Sequence, residues 1–191
     1  MPDAPITIVT DRLVLREYTG ADLAPFLAYQ SLPEAREFYG AHEAQPGHVR
    51  ELLATFQQWA RERPRRRYQL AIAPRSAPEA LLGSVGLRAI DGSSDTADLG
   101  LELDPRAWGR GYGSEAATAM LGFGFDRMGL AAVRGLTVSA NGRVAALVQR
   151  LGFRLVAHHQ GDGWMQTRGW TEAEWRLTRD EWKLRSAAAA P

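Results

Sequence analysis

The chain has 191 residues, 45% of them hydrophobic, a formal net charge of +1 and no cysteine. That length fits one domain able to bury its own core, and the lack of cysteine excludes disulfides, thiolate metal sites and a cysteine nucleophile. The near-neutral charge argues against a strongly basic nucleic-acid binder. The first residues lack a basic segment followed by a long apolar run, and no stretch of about 18 apolar residues occurs, so neither a signal peptide nor a membrane span is predicted and a cytoplasmic location is expected.

In chain order, residues 6–15 (ITIVTDRLVL) alternate apolar and polar side chains and predict a strand. Asp22 is placed to cap a helix reaching Ser31, and Pro33 and Gly40 break the stretch that follows. Residues 48–63 set Val49, Leu52, Leu53, Phe56 and Trp59 at helical spacing, with Pro64 as the stop. The arginines at 61, 63, 65, 66 and 67 read as a solvated helix end, where cations are favoured. Two strands are predicted at 68–73 and 82–90, then a turn at 91–95 (DGSSD). In the strand predicted at 97–103, Leu99, Leu101 and Leu103 face one side, and Asp98, Gly100 and Glu102 the other. A helix is predicted from Tyr112 to Met128, with Gly122 and Gly124 inside it attributed to close packing. A strand follows at 133–138, then a helix capped by Asn141 and ended by Gly152, then closing strands at 153–157 and 172–178. Residues 1–185 form one predicted domain and 186–191 a flexible tail. Hairpins leading into strand–helix–strand units imply an α/β domain: a mixed, mostly antiparallel sheet of about six to seven strands with helices on its faces.

The sharpest motif is Arg106-Ala-Trp-Gly109-Arg110-Gly111-Tyr112-Gly113-Ser114, between a predicted strand and a predicted helix. Its glycines allow positive φ and close approach of a ligand, and the free amides and dipole of the helix start attract an anion such as a pyrophosphate. Arg106 and Arg110 add cations. A P-loop is excluded because the loop contains no lysine, and the spacing Gly109-x-Gly111-x-Gly113 is not that of a dinucleotide fingerprint. Arg106-x-x-Gly109-x-Gly111 fits the pattern Arg/Gln-x-x-Gly-x-Gly/Ala.

With that loop, the opening TDRLVLREYTGADLAPF, the LGLELDPRAWGRGYGSEA segment, the run from Asn141 through LGF and the closing WRLTRDEW, nearly the whole chain resembles the GNAT superfamily of N-acetyltransferases. Within it, the chain is similar to the branch that acetylates the N-termini of ribosomal proteins. The resemblance implies a GNAT fold with a splayed central strand pair, and transfer of an acetyl group from acetyl-CoA to a primary amine, on a protein N-terminus or a small molecule, by direct attack in a ternary complex. The alternatives are another acyl-CoA such as succinyl-CoA, or a non-catalytic acyl-CoA-binding module. The backbone at Leu101 and Leu103 would pair with the pantetheine arm, and the loop from Gly109 through Ser114 would hold the pyrophosphate. Asn141 would bond the cofactor arm, and Arg143 either approaches its phosphates or is a solvated helix residue. An amine must be neutral to attack, so a base is needed, and Glu102 and Asp98 are the candidates. Phe38, Tyr39 and Trp164 are candidates for the acceptor pocket. Val144 and Val148 stand where relatives often carry a Ser or Tyr proton donor, so the departing thiolate is protonated by water or another residue, or needs no acid. His158 and His159 point to opposite faces of one predicted strand, and no metal is expected. Neither nucleic acid nor membrane is an expected partner, and relatives are often homodimers.

Overall fold

A computed structural model describes residues 5–41, 43, 45–90, 93 and 95–188. Parts of the turn predicted at 91–95 and of the C-terminal tail lie outside these residues. Contacts cluster in two compact units, Met1–Arg88 with Gly100–Met120, and Ala89–Leu99 with Leu121–Pro191.

In the first unit, β1 (Thr7–Val9) and β2 (Leu13–Arg16) form an antiparallel hairpin. The single strand predicted over 6–15 is therefore two. The Thr10 amide donates to the Leu13 carbonyl at 2.9 Å and closes the turn, and the three polar residues Thr10, Asp11 and Arg12 interrupt the alternation there, moving its apolar positions from Ile6 and Ile8 to Leu13 and Leu15. Next to β2 lies β3 (Arg67–Pro74), and next to β3 lies β4 (Gly83–Ala89), each antiparallel to its neighbour. Helices α1 (Leu23–Gln30), α2 (Pro33–Arg36) and α3 (Pro46–Trp59) follow the hairpin. Pro33, expected to break the stretch, opens α2 instead, and Pro46 likewise opens α3, because a first-turn residue needs no amide hydrogen. Phe26, Tyr29, Val49, Leu53 and Phe56 join Tyr18, Ala71 and Leu81 in one core, in which each buried Val, Leu or Phe side chain contributes about 2 kcal/mol.

Asp22 precedes α1 but makes no cap to its amides. Its buried carboxylate instead forms a fork with Arg16, at 2.7 and 2.9 Å, and accepts from the Thr19 amide. The arginine run is also more engaged than a solvated helix end. Arg65 pairs with Glu17 at 2.6 Å and lies 4.4 Å from the Tyr68 ring, and Arg67 pairs with Glu62 and covers Trp59.

Strand β5 (Thr96–Leu103) supplies its last residues to the first unit and its first residues to the second. In the second unit β5 runs parallel to β6 (Ala132–Val138), and β8 (Glu172–Thr178) is antiparallel to both β6 and β7 (Arg154–His159). The sheet order is β1-β2-β3-β4-β5-β6-β8-β7, a mixed, mostly antiparallel sheet of eight strands. The β5–β6 ladder covers only Thr96–Asp98 against Ala132–Arg134, although β5 extends to Leu103 and β6 to Val138.

Helix α4 (Tyr112–Gly122) opens in the first unit and passes into a π-helical turn, Phe123–Arg127. A Cβ on Gly122 would meet no atom within 4 Å, so close packing does not explain that glycine; it stands where α-helix changes to π-helix. Asn141 caps α5 (Gly142–Leu151) by accepting from the Val144 amide at 3.2 Å, and Gly152 ends it at φ 95°, as predicted. Helices α6 (Gly163–Gln166) and α7 (Arg179–Ala188) complete the second unit. On α7, Trp182 stacks on Phe125 with centroids 5.8 Å apart, and Lys183 is exposed.

Candidate active site

Of the two candidate carboxylates on β5, Glu102 lies in the first unit. It lies on the face of β5 opposite Leu101 and Leu103, and Gly83 lets β4 come against that strand at this residue: a Cβ on Gly83 would lie 2.1 Å from the Glu102 carbonyl oxygen. Gln30, the last residue of α1, donates to Glu102 Oε1, and Tyr39 donates to Oε2. Tyr29 faces the same carboxylate; its buried hydroxyl makes no hydrogen bond of ordinary geometry yet still steadies the charge. Glu102 keeps intermediate exposure as a residue, but its carboxylate is enclosed by these side chains. Burial therefore raises its pKa, and the donors Tyr39, Tyr29 and Gln30 only partly offset the rise. Burial together with the Glu102 charge pushes Tyr39 and Tyr29 well above the usual tyrosine range, so both stay protonated and Tyr39 stays a donor. A carboxylate with a raised pKa, held by fixed donors, is suited to taking a proton near neutral pH.

The glycine loop lies in the same unit. Gly109 and Gly111 have φ 74° and 79°, values that only glycine adopts without strain. A Cβ on Gly109 would meet nothing within 4 Å, and one on Gly111 only the Arg12 guanidinium, at 3.2 Å. Gly113 and Ser114 lie in the first turn of α4, whose leading amides have no intrahelical partners. The open space at Gly109, the leading amides of α4 and the helix dipole fit a pyrophosphate. Arg106 is not a mobile cation: it forks Asp104 at 2.6–3.1 Å. Asp104's pKa is raised by burial but lowered overall by Arg106. The Arg110 side chain is exposed, while its carbonyl accepts from Arg12 at 2.9 Å. The Leu103 carbonyl accepts from the Trp108 indole at 3.0 Å, which ties the loop back to β5, and Leu101 lies between in the strand.

Asp98 lies in the second unit, where Arg134 forks it at 2.6 and 2.9 Å across the parallel β5–β6 ladder. Asn141 spends its side-chain oxygen on the α5 cap, and Arg143 is exposed in the first turn of that helix. Trp164 meets Trp170 edge-on at 6.3 Å, with Arg168 over both rings. Phe38 and Tyr39 follow α2 in the first unit, and of the two Tyr39 reaches Glu102. His158 bonds Thr171 and His159 bonds Glu174, and among the described residues no group of three His, Cys, Asp or Glu could hold a metal. No described helix is long and apolar enough to cross a membrane.

Sequence reasoning missed three participants. Gln30 and Tyr29 lie on an apolar helix that gives no sign of facing a carboxylate, and Arg12 sits in the turn of a hairpin predicted as one strand.

Residues 12–154 match the acetyltransferase (GNAT) domain family. The chain is 27% identical over 146 residues to the uncharacterized N-acetyltransferase YoaA of Bacillus subtilis, covering 76% of this chain and 81% of that one. A GNAT acetyltransferase structure from Bacillus anthracis superposes with a TM-score of 0.74 at 19% identity, over 92% of this chain and 99% of that one. The spermidine N-acetyltransferase of Vibrio cholerae, solved in complex with CoA and spermine, gives 0.74 at 14% identity, over 91% and 99%. The chain belongs to the GNAT acetyltransferase family.

Proposed function

We propose that the chain transfers an acetyl group from acetyl-CoA to a primary amine by direct attack, with Glu102 taking the proton that the amine must lose. Acetyl-CoA supplies the acetyl group activated as a thioester. The observation that carries the assignment is the Glu102 carboxylate, raised in pKa by burial and fixed by Tyr39 and Gln30. An amine with a pKa near 8 to 10 is mostly protonated at neutral pH, so a positioned carboxylate takes its proton before the nitrogen attacks; the nitrogen–carbon bond then forms as the carbon–sulfur bond breaks, and the CoA thiolate leaves and takes a proton from water. Gly109, Arg110, Gly111, Tyr112, Gly113 and Ser114 form the seat for the pyrophosphate, and the β5 backbone at Leu101 and Leu103 lies next to it in the chain. Asp98 is spoken for by Arg134, which favours Glu102 of the two candidates. Glu102 and the loop belong to one unit, so the assignment needs neither Asn141 nor Arg143.

The test is CoA release with spermidine and with a serine-N-terminal peptide as acceptors, each with acetyl-CoA and succinyl-CoA. Acetyl-CoA is expected to be the better donor, and Glu102→Gln should lower kcat about a hundredfold at neutral pH. A Glu102→Gln enzyme as fast as the parent would remove Glu102 from the reaction.

A further inference from the structure

We infer that Arg12, in the turn between β1 and β2, is a positioning residue that sets the glycine loop for the pyrophosphate of acetyl-CoA, an inference that rests on the loop assignment above. Arg12 meets the loop through four groups. Its Nε donates to Glu115 Oε2 at 2.7 Å, its backbone amide donates to Glu115 Oε1 at 2.8 Å, and its Nη1 donates to the Arg110 carbonyl at 2.9 Å. The guanidinium also lies 4.8 Å from the Tyr112 ring centroid, and its Nη2 stands 3.2 Å from where a Gly111 Cβ would be. Thr10, from the same turn, donates to Glu115 Oε1 at 2.6 Å.

Two consequences follow from elementary geometry and charge. A trans peptide carries its carbonyl and the next amide on opposite sides. Pinning the Arg110 carbonyl to Arg12 therefore turns the Gly111 N–H away from Arg12, toward the open side of the loop. Glu115 stands in the first turn of α4, where an unpaired carboxylate would repel a phosphate. Arg12 and Thr10 engage both of its oxygens, so the charge is neutralised and turned from the anion seat. Arg12 thus acts through the loop and Glu115, and its contribution appears in binding of acetyl-CoA rather than in the proton transfer at Glu102.

The experiment compares the parent, Arg12→Gln and Arg12→Lys by steady-state kinetics, with amide NMR spectra of the protein without ligand. Arg12→Gln should raise the KM for acetyl-CoA about tenfold, the worth of one charge-assisted hydrogen bond, with kcat and the acceptor KM within about twofold of the parent. Arg12→Lys keeps the charge but not the fork, and should fall between. In the protein without ligand, Arg12→Gln should broaden or double the Gly111 amide signal, because the 110–111 peptide is no longer pinned. This second readout holds whether or not acetyl-CoA is the donor. An unchanged KM, or a single sharp Gly111 signal at its parent position in a folded Arg12→Gln, would overturn the inference. Failure of the parent itself to bind acetyl-CoA would overturn the loop assignment, and the Gly111 signal would then decide the role of Arg12 alone.

Discussion

The Tyr39 hydroxyl donates a hydrogen bond to Glu102 Oε2 across 63 residues of sequence. It ties the segment after α2 to the middle of the sheet and holds Glu102's pKa below the level that burial alone would give. Tyr39→Phe removes that donor. Glu102's pKa should then rise further, and the acid limb of the kcat profile should move to higher pH. An unmoved limb would mean that Tyr39 does not govern the ionisation of Glu102.

The raised pKa of Glu102 fixes the sign of its effect on stability. The folded protein binds the Glu102 proton more tightly than the unfolded chain, whose value lies near 4.5, so this group favours folding below that pH and progressively loses that effect as pH rises through the folded value. Glu102→Gln should therefore gain stability over the parent as pH increases above 4.5, and the difference should level off once the parent carboxylate is fully ionised. Denaturant melts across that range check it; a gap independent of pH would show that Glu102 ionises alike in both states.

Gly83→Ala would place a methyl group 2.1 Å from the Glu102 carbonyl oxygen and 2.8 Å from the Leu103 Cα, both backbone atoms that cannot swing aside. A loss of about 2 kcal/mol or more is expected, with lower activity because β5 must shift. Thermal unfolding and CoA release on the same sample measure both.

Gly111→Glu would put a strained side chain and a negative charge into the loop at φ 79°. Affinity for CoA should fall at least tenfold, about 1.4 kcal/mol. Calorimetric titration with CoA reads this directly, and parental affinity in a folded variant would move the pyrophosphate elsewhere.

Asp98→Asn would break the fork with Arg134 that ends the short parallel ladder between β5 and β6. Stability should fall by about 1 kcal/mol while the rate near neutral pH stays close to that of the parent. A rate loss as large as that of Glu102→Gln would return Asp98 to the list of candidate bases.

Much of this architecture could be read from residue order. The alternation in β5 put Glu102 on the side opposite Leu101 and Leu103, the three glycines marked the loop, and Asn141 and Gly152 bracketed α5 to the residue. These signals are local, set by a side chain acting on its own backbone. What escaped was long-range or masked by a competing pattern. The hairpin turn had a local sign, the polar run Thr10-Asp11-Arg12 at which the alternation changes phase, whereas the link from Arg12 to Glu115 spans 103 residues. Asp22 looked like a cap but serves Arg16, because a guanidinium that forks a buried carboxylate is a stronger partner than a helix amide. Helix α7 was legible but overlooked: Thr178 and Glu181 form a capping pair at its start, with Glu181 accepting from the Thr178 amide and hydroxyl at 2.8 Å.

Lys183, exposed on α7, is the only lysine in a chain otherwise furnished with arginine. Guanidinium groups stay charged and do not act as acetyl acceptors under the conditions in which amines do. Self-labelling of lysine side chains is thereby confined to a single address, and a Lys183→Arg protein would have none. In mass spectrometry of a reaction mixture, acetyl-lysine would then report on the added acceptor alone, which makes this chain a quiet background against which to screen protein substrates.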